Sequence, residues 1–197
     1  MKWIVITILV FIVGYTFITL NFRKPGPGHQ PYKDAKDRAT VQRLQDAGYQ
    51  RITATISLPA DPQHSAARLG KAFATHQVIP GGLPAELTET LIDKPALPES
   101  FSSVSAPSEV ASLMPYSFQF TCTLPDKKNT VDDTYVYLKN DDLAVVTSFE
   151  KIGGDLEARS RENPVLVTIP GGTLKPGTYQ VRLIGAKSSR QWTLQVR

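Results

Sequence analysis

Residues 116–124 read YSFQFTCTL, and this stretch decides the fold class. Apolar residues at 116, 118, 120, 122 and 124 alternate with polar residues at 117, 119, 121 and 123. A period of two is typical of a β-strand that buries one face. The stretch therefore predicts a strand with an aromatic inner face.

Five segments downstream of this strand carry similar patterns. They lie at 134–139, 143–149, 164–169, 178–184 and 191–196, and turn-forming pieces such as KNDD, KIGGD and LKPG separate them. Six short strands with little helix between them predict a mainly β fold, in the form of an antiparallel sandwich or barrel.

The segment LKPGTYQVRLIGAKSSRQWTLQVR, residues 174–197, resembles the final hairpin of bacterial immunoglobulin-like domains. The resemblance implies an immunoglobulin-like β-sandwich over residues 94–197. It also implies that two sets of side chains face each other in the core, namely Tyr179, Val181 and Leu183 opposite Trp192, Leu194 and Val196. It is a resemblance of fold and carries no catalytic residues with it.

Residues 24–93 are predicted to form a juxtamembrane region of mixed α and β structure that leads into a linker. A helix is expected over about 32–47 with Gly48 as its C-terminal cap, and alternation over 52–58 predicts a strand. A second, amphipathic helix is expected from Pro62 to about Thr75. Five prolines within 79–108 predict an extended linker. Whether residues 32–93 fold independently or drape over the sandwich stays open.

Residues 3–20, WIVITILVFIVGYTFITL, contain no charged side chain, and Lys2, Arg23 and Lys24 flank them. As a helix this run would be about 27 Å long, close to the roughly 30 Å of a bilayer core. It also lacks the small-residue cleavage site of a secretory signal. The sequence therefore predicts a transmembrane anchor over residues 1–23 of a single-pass membrane protein. The side of the membrane that the soluble domain occupies stays open.

The basic charge is concentrated next to the predicted anchor. Residues 21–51 contain seven basic and three acidic side chains, whereas residues 52–197 contain fourteen and fifteen. A nucleic-acid-binding domain would carry its Lys and Arg on the folded module itself. The charge distribution therefore predicts no nucleic acid as a partner. The basic segment indicates either a topology signal with a solvated helix face or contact with anionic headgroups of the lipid bilayer, which is the predicted partner of the anchor.

Cys122 is the single cysteine of the chain. It has the same parity along its strand as Phe118 and Phe120, so it is predicted to be a packed core thiol and not a reactive one.

The sequence predicts no catalytic residues, no metal site and no cofactor. His64 and His76 would lie about 18 Å apart on one helix, too far to share a metal ion. The pairs Asp132-Asp133 and Asp141-Asp142 bracket one strand and are expected to be solvated turn residues. Two Ile-Pro-Gly-Gly segments, at 79 and 169, indicate either turns or a tandem duplication.

These features favour a non-enzymatic protein-interaction module, an accessory subunit or assembly factor of a membrane complex with a membrane-protein partner. The alternative is a ligand- or metal-binding module that uses loops at one end of the sandwich.

Overall fold

The computed structural model describes residues 2–22, 31–59, 61–63, 73–154 and 156–197, without the side chains of residues 5, 18–22 and 31–34. The chain divides into two compact units, residues 1–38 and 39–197. The first contains helix α1 (Lys2–Phe22) and the beginning of helix α2 (Pro31–Asp46). The second contains the end of α2 and all the strands.

A mainly β fold of two sheets is confirmed. In the described ranges the larger sheet has seven strands: β1 (Gln50–Ile52), β7 (Asn129–Lys139), β8 (Asp142–Lys151), β10 (Gly177–Ile184) and β11 (Ser188–Val196), with β3 (Gln77–Pro80) and β5 (Glu109–Val110) both beside β11. The smaller sheet has the order β2 (Thr55–Ser57), β9 (Glu162–Ile169), β6 (Tyr116–Thr123), β4 (Ser100–Ser105).

The predicted strand at 116–124 is confirmed as β6, with its aromatic side chains in the core. Tyr116, Phe118 and Phe120 are buried, and the Phe118 ring meets the Trp192 ring edge-on at 5.6 Å. The indole nitrogen of Trp192 donates a hydrogen bond of 3.0 Å to the Tyr116 hydroxyl, which donates in turn to the carbonyl of Pro107. This chain of hydrogen bonds satisfies polar groups inside the aromatic core.

The closing hairpin also buries the side chains that were expected to face the core. In the pairing of β10 with β11, Tyr179 lies opposite Leu194 and Val181 opposite Trp192, and all four side chains are buried. The six inward-facing side chains named for this hairpin all belong to the core between the two sheets.

The sandwich is not purely antiparallel, so that part of the fold prediction is wrong. β10 pairs with β8 in parallel, and β5 pairs with β11 in parallel. The reason lies in the chain path: after β8 the chain crosses to the smaller sheet as β9 and returns as β10. The chain reverses its direction when it enters β9 and again when it enters β10. β8 and β10 therefore run parallel.

The prediction of a transmembrane anchor over residues 1–23 is wrong. A crossing needs about 20 consecutive apolar residues. Within the described part of the chain, no helix meets the length and apolarity of a membrane span.

The prediction of an extended linker over 79–108 is also wrong. This region contains the end of β3, helix α3 (Ala85–Thr90) and β4, which pairs with β6. Two of its five prolines lie at the ends of these elements, since Pro80 ends β3 and Pro84 precedes the first residue of α3. Strands that precede residue 94 also join both sheets, because β1 pairs with β7 and β2 with β9.

The helix predicted from Pro62 to Thr75 falls largely on residues 64–72, outside the described residues. Residues 62–63 are helical, but Phe73 forms a β-bridge with Pro107, so the helix does not reach Thr75. The helix expected at 32–47 is confirmed as α2, and Gly48 ends it with a positive φ of 80°.

A second, smaller core lies on the outer face of the larger sheet. The end of α2 contributes Leu44 to this core, and α3 contributes Leu87. Both pack in one apolar cluster with the outward-facing Ala144 and Val146 of β8. β8 is consequently buried on both faces over residues 143–148. This second core positions the first of the two candidate sites described below.

Candidate functional site

The structure places Cys122 in the core, as predicted. Its thiol is buried and donates a hydrogen bond of 3.4 Å to the carbonyl of Asn163. Burial raises the pKa of the Cys122 thiol to about 12, which keeps it protonated at neutral pH. A neutral, enclosed thiol is not available as a nucleophile or a metal ligand.

The predicted acidic pairs do not come together, and the prediction of turn residues is wrong for Asp132 and Asp133, which lie within strand β7. Asp132 and Asp133 lie at a bulge in β7, where its register with β8 shifts between Val131 and Thr134. Asp141 lies in the turn between β7 and β8, and Asp142 begins β8. Within the ranges that the structure describes, no group of three or more His, Cys, Asp or Glu side chains could hold a metal ion.

His76 is exposed, whereas His29 and His64 lie outside the described residues. The two Ile-Pro-Gly-Gly segments both form turns at the end of a strand, with a positive φ at the second glycine, 106° at Gly82 and 78° at Gly172. In both turns a Cβ on the first glycine would overlap a backbone carbonyl, that of Ala186 for Gly81 and that of Leu113 for Gly171. Glycine is therefore required twice in each turn.

A cleft of about 370 Å³, which we call the charged cleft, lies where α3 meets the end of the β7–β8 hairpin. Its lining includes Tyr49, Glu86, Lys139, Asp142, Ala144 and Arg182. α3 supplies Glu86, the two hairpin strands supply Lys139 and Asp142, and β10 supplies Arg182, so the second core fixes all four charged side chains.

The charges of this cleft form two ion pairs. Lys139 Nζ lies 2.6 Å from Glu86 Oε2, and Arg182 Nη2 lies 2.8 Å from Asp142 Oδ2. Tyr49 donates a hydrogen bond of 3.2 Å to the same Glu86 oxygen, and the Lys139 ammonium lies 5.0 Å from the centre of the Tyr49 ring.

The pKa values of these groups follow from their contacts. The hydrogen bond from Lys139 lowers the pKa of Glu86 and raises that of Lys139 itself. Burial, and next the hydrogen bond to Glu86, raises the pKa of Tyr49. The shifts of Glu86 and Lys139 keep this pair ionised at pH 7, and the shift of Tyr49 keeps its hydroxyl protonated as a donor to Glu86.

A second cavity, of about 420 Å³, opens at the side of the sandwich, and we call it the lateral groove. It lies where the chain leaves the larger sheet after β1 and enters the smaller sheet as β2. Its lining includes Val41, Arg51, Ile52, Ala54, Ile56 and Tyr135, with Asp133 and Thr134 from the bulge of β7.

The polar side of the lateral groove is formed by three side chains. The Arg51 guanidinium lies 4.1 Å from the centre of the Tyr135 ring, and the Tyr135 hydroxyl donates a hydrogen bond of 2.7 Å to Asp133 Oδ2. Burial, followed by this bond to Asp133, raises the pKa of Tyr135 to about 12. The hydroxyl is therefore a permanent donor at physiological pH, beside an apolar floor.

Sequence reasoning did not find either cavity. Each is assembled from segments that lie far apart in the chain, such as Arg51 and Tyr135, and no spacing within one segment marks them. The one available signal was the continuous apolar run at 143–146 in β8, which is typical of a strand covered on both faces. It would have pointed to the second core on which the charged cleft rests.

Comparison with known proteins leaves the site to be interpreted from its own residues. No protein-family model matches the chain, and no curated protein is significantly similar to it.

Proposed function

We propose that this protein is a non-enzymatic protein-interaction module, an accessory subunit or assembly factor of a larger complex. The observation that carries the proposal is the surface of α1. Its large apolar side chains among the described residues, from Trp3 to Phe17, are 53–82% exposed. Soluble proteins rarely leave contiguous apolar surface uncovered unless a partner binds there.

Two hydroxyls of α1 are also satisfied within the helix. The Thr7 hydroxyl donates to the carbonyl of Trp3 at 3.0 Å, and the Thr16 hydroxyl donates to that of Ile12 at 2.7 Å. Because they bond to the preceding turn, these two hydroxyls do not depend on water. Gly14 adds a place where another helix can approach closely, since a Cβ there would have no atom within 4 Å. These features support a partner that presents apolar helices.

Co-purification in mild detergents, followed by mass spectrometry, tests the proposal. The wild-type chain is expected to recover a stoichiometric companion, and Phe11→Asp, which places a charge on the exposed face of α1, is expected to lose it. Phe11→Leu keeps the face apolar and is the matched control, so it should retain the companion. Recovery of monomer alone in several detergents would refute the proposal.

The resemblance of the closing hairpin to bacterial immunoglobulin-like domains agrees with this function, because such sandwiches commonly serve as binding modules. The support is limited to the two-sheet architecture and the β10–β11 register. The predicted bilayer contact, the membrane-protein partner and the predicted absence of nucleic-acid binding stay predictions.

A second candidate function is binding of a small charged ligand, and the charged cleft favours it. Its volume lies within the range of small-molecule sites, and it offers cations and carboxylates side by side. Thermal shifts of the full chain against metals, sugars and nucleotides test this function. A ligand that acts here would lose its effect in Arg182→Met and keep it in Arg197→Met, where the substituted side chain is also ion-paired but lies outside the cleft. If none of these compounds shifts the melting temperature, the ligand-binding function is refuted.

A further inference from the structure

Within the described residues, the edge of β7 is unpaired beside the lateral groove. On its outer side, β1 pairs with β7 only over Val136 to Leu138, and the chain then leaves for the smaller sheet. Among the described strands, none continues β1 along the edge of β7 from Asn129 to Tyr135. Main-chain donors and acceptors at such an edge are a template for another extended segment.

The bulge in β7 displays two carboxylates at this edge. Ser148 closes the bulge on the β8 side, since its hydroxyl accepts from the Asp133 amide at 3.2 Å and lies 3.1 Å from the Asp133 carbonyl oxygen. Asp132 and Asp133 are both exposed. Asp132 makes one side-chain contact among the described residues, 3.5 Å from the Ser148 hydroxyl. A bulge re-aims side chains in this way next to functional surfaces.

The groove beside the edge supplies apolar contact. Ile52, Ala54 and Ile56 line it from the segment that crosses between the sheets, and all three also contact the main core. A strand that continued the line of β1 would alternate between this apolar floor and the solvent side. Its outward-facing residues would then lie near the two aspartates.

We propose that the β7 edge, from Asn129 to Tyr135, binds an extended segment of a partner protein in which basic residues alternate with apolar ones. Main-chain hydrogen bonds to β7 supply much of the affinity, and the lateral groove and the two aspartates supply the specificity. A second copy of this chain is disfavoured, because Asp132 and Asp133 of one copy would lie opposite the same carboxylates of the other in an antiparallel edge pair. The inference deepens the proposed function by naming the chemistry of one partner segment, but it does not depend on what covers α1.

Fluorescence anisotropy of the full chain with a labelled peptide of alternating Lys and Val tests the proposal. Binding is expected, and a peptide with Glu in place of Lys, or one N-methylated on the amides that face β7, should bind at least tenfold more weakly. Amide hydrogen exchange in residues 129–135 should slow when the peptide is bound.

Two variants locate the site. Asp132→Asn is expected to weaken binding about twofold to fivefold, the range for one exposed ion pair, and Asp132→Lys more strongly. Asp141→Asn removes an exposed aspartate at the other end of the same strand and should leave the affinity unchanged. Equal binding of the acidic or N-methylated peptide, no saturation by the basic peptide, or an equal effect of Asp141→Asn would overturn the proposal. Because these experiments use a synthetic peptide, their outcome does not depend on whether co-purification recovers a partner bound to α1.

Discussion

The packing of the second core predicts how much stability is lost when Leu87 in α3 is truncated, although the sequence of this region indicates a linker. Leu87, in α3, is completely buried against the outer face of the larger sheet. Leu87→Ala removes three carbon groups, which at about 0.8 kcal/mol each contribute roughly 2.4 kcal/mol of transfer free energy. The cavity that remains adds to this, so the free energy of unfolding should fall by about 2–5 kcal/mol.

Urea denaturation of the full chain in a constant concentration of mild detergent, followed by tryptophan fluorescence, measures this change. In thermal scans the same loss corresponds to roughly 4–20 °C, at about 2–4 °C per kcal/mol for a chain of this size. Glu89→Ala in the same helix and Leu156→Ala on an exposed loop are the matched controls and should change stability by less than about 0.5 kcal/mol.

If Leu87→Ala proves too unstable to purify, Leu87→Val gives a smaller version of the same test. A stability within error of wild type for both variants would refute the reasoning, because it would mean that α3 does not contribute to the cooperative fold.

Three further predictions concern the main core and its turns. Tyr116→Phe leaves the Trp192 indole N–H without its buried acceptor, so urea denaturation should show a loss of about 1–3 kcal/mol; an unchanged midpoint would contradict the hydrogen bond. Gly171→Ala forces a Cβ into backbone and should cost at least about 1–3 kcal/mol, whereas Gly153→Ala, where a Cβ meets no atom within 4 Å, should be neutral. Cys122 has a raised pKa, so the folded state disfavours the thiolate; its contribution to stability is present below the ordinary thiol pKa and is lost as the pH rises toward 12. At pH 8 a thiol reagent should therefore modify it only in denaturant, and rapid reaction in the folded state would show that the thiol is accessible.

The parts of the fold that were predictable are those in which one strand carries its own signal. Phe118 and Phe120 alternate with polar residues, and a period of two follows directly from the geometry of a strand. The same holds for Tyr179 and Val181 in the closing hairpin. In these segments the apolar face is buried and the polar face is mostly half-buried, with Gln119 as the exception, so the pattern in the sequence and the pattern of burial largely coincide.

The remaining features depend on contacts between distant segments. Ala144 and Val146 of β8 are buried by helices that lie elsewhere in the sequence, and their apolar run does not reveal what covers it. The alternating residues from Ile52 to Ile56 predict a single strand, but they belong to two strands in different sheets. The alternation continues across the break between these strands, so the sequence does not reveal the change of sheet. Both cavities are formed by contacts between distant segments. No local sequence motif therefore predicts them.

The pairing of the sheets has a consequence for biosynthesis. Ile52 finds its partner only at Val136, Ile56 at Val167 and Ile79 at Ser189. Closing loops of this size is slow because of their entropy, and high contact order lowers the folding rate. While the ribosome is still extending the nascent chain, β1, β2 and β3 must wait unpaired for strands that have not yet been translated. Holdase chaperones would have their longest window of action on this early segment.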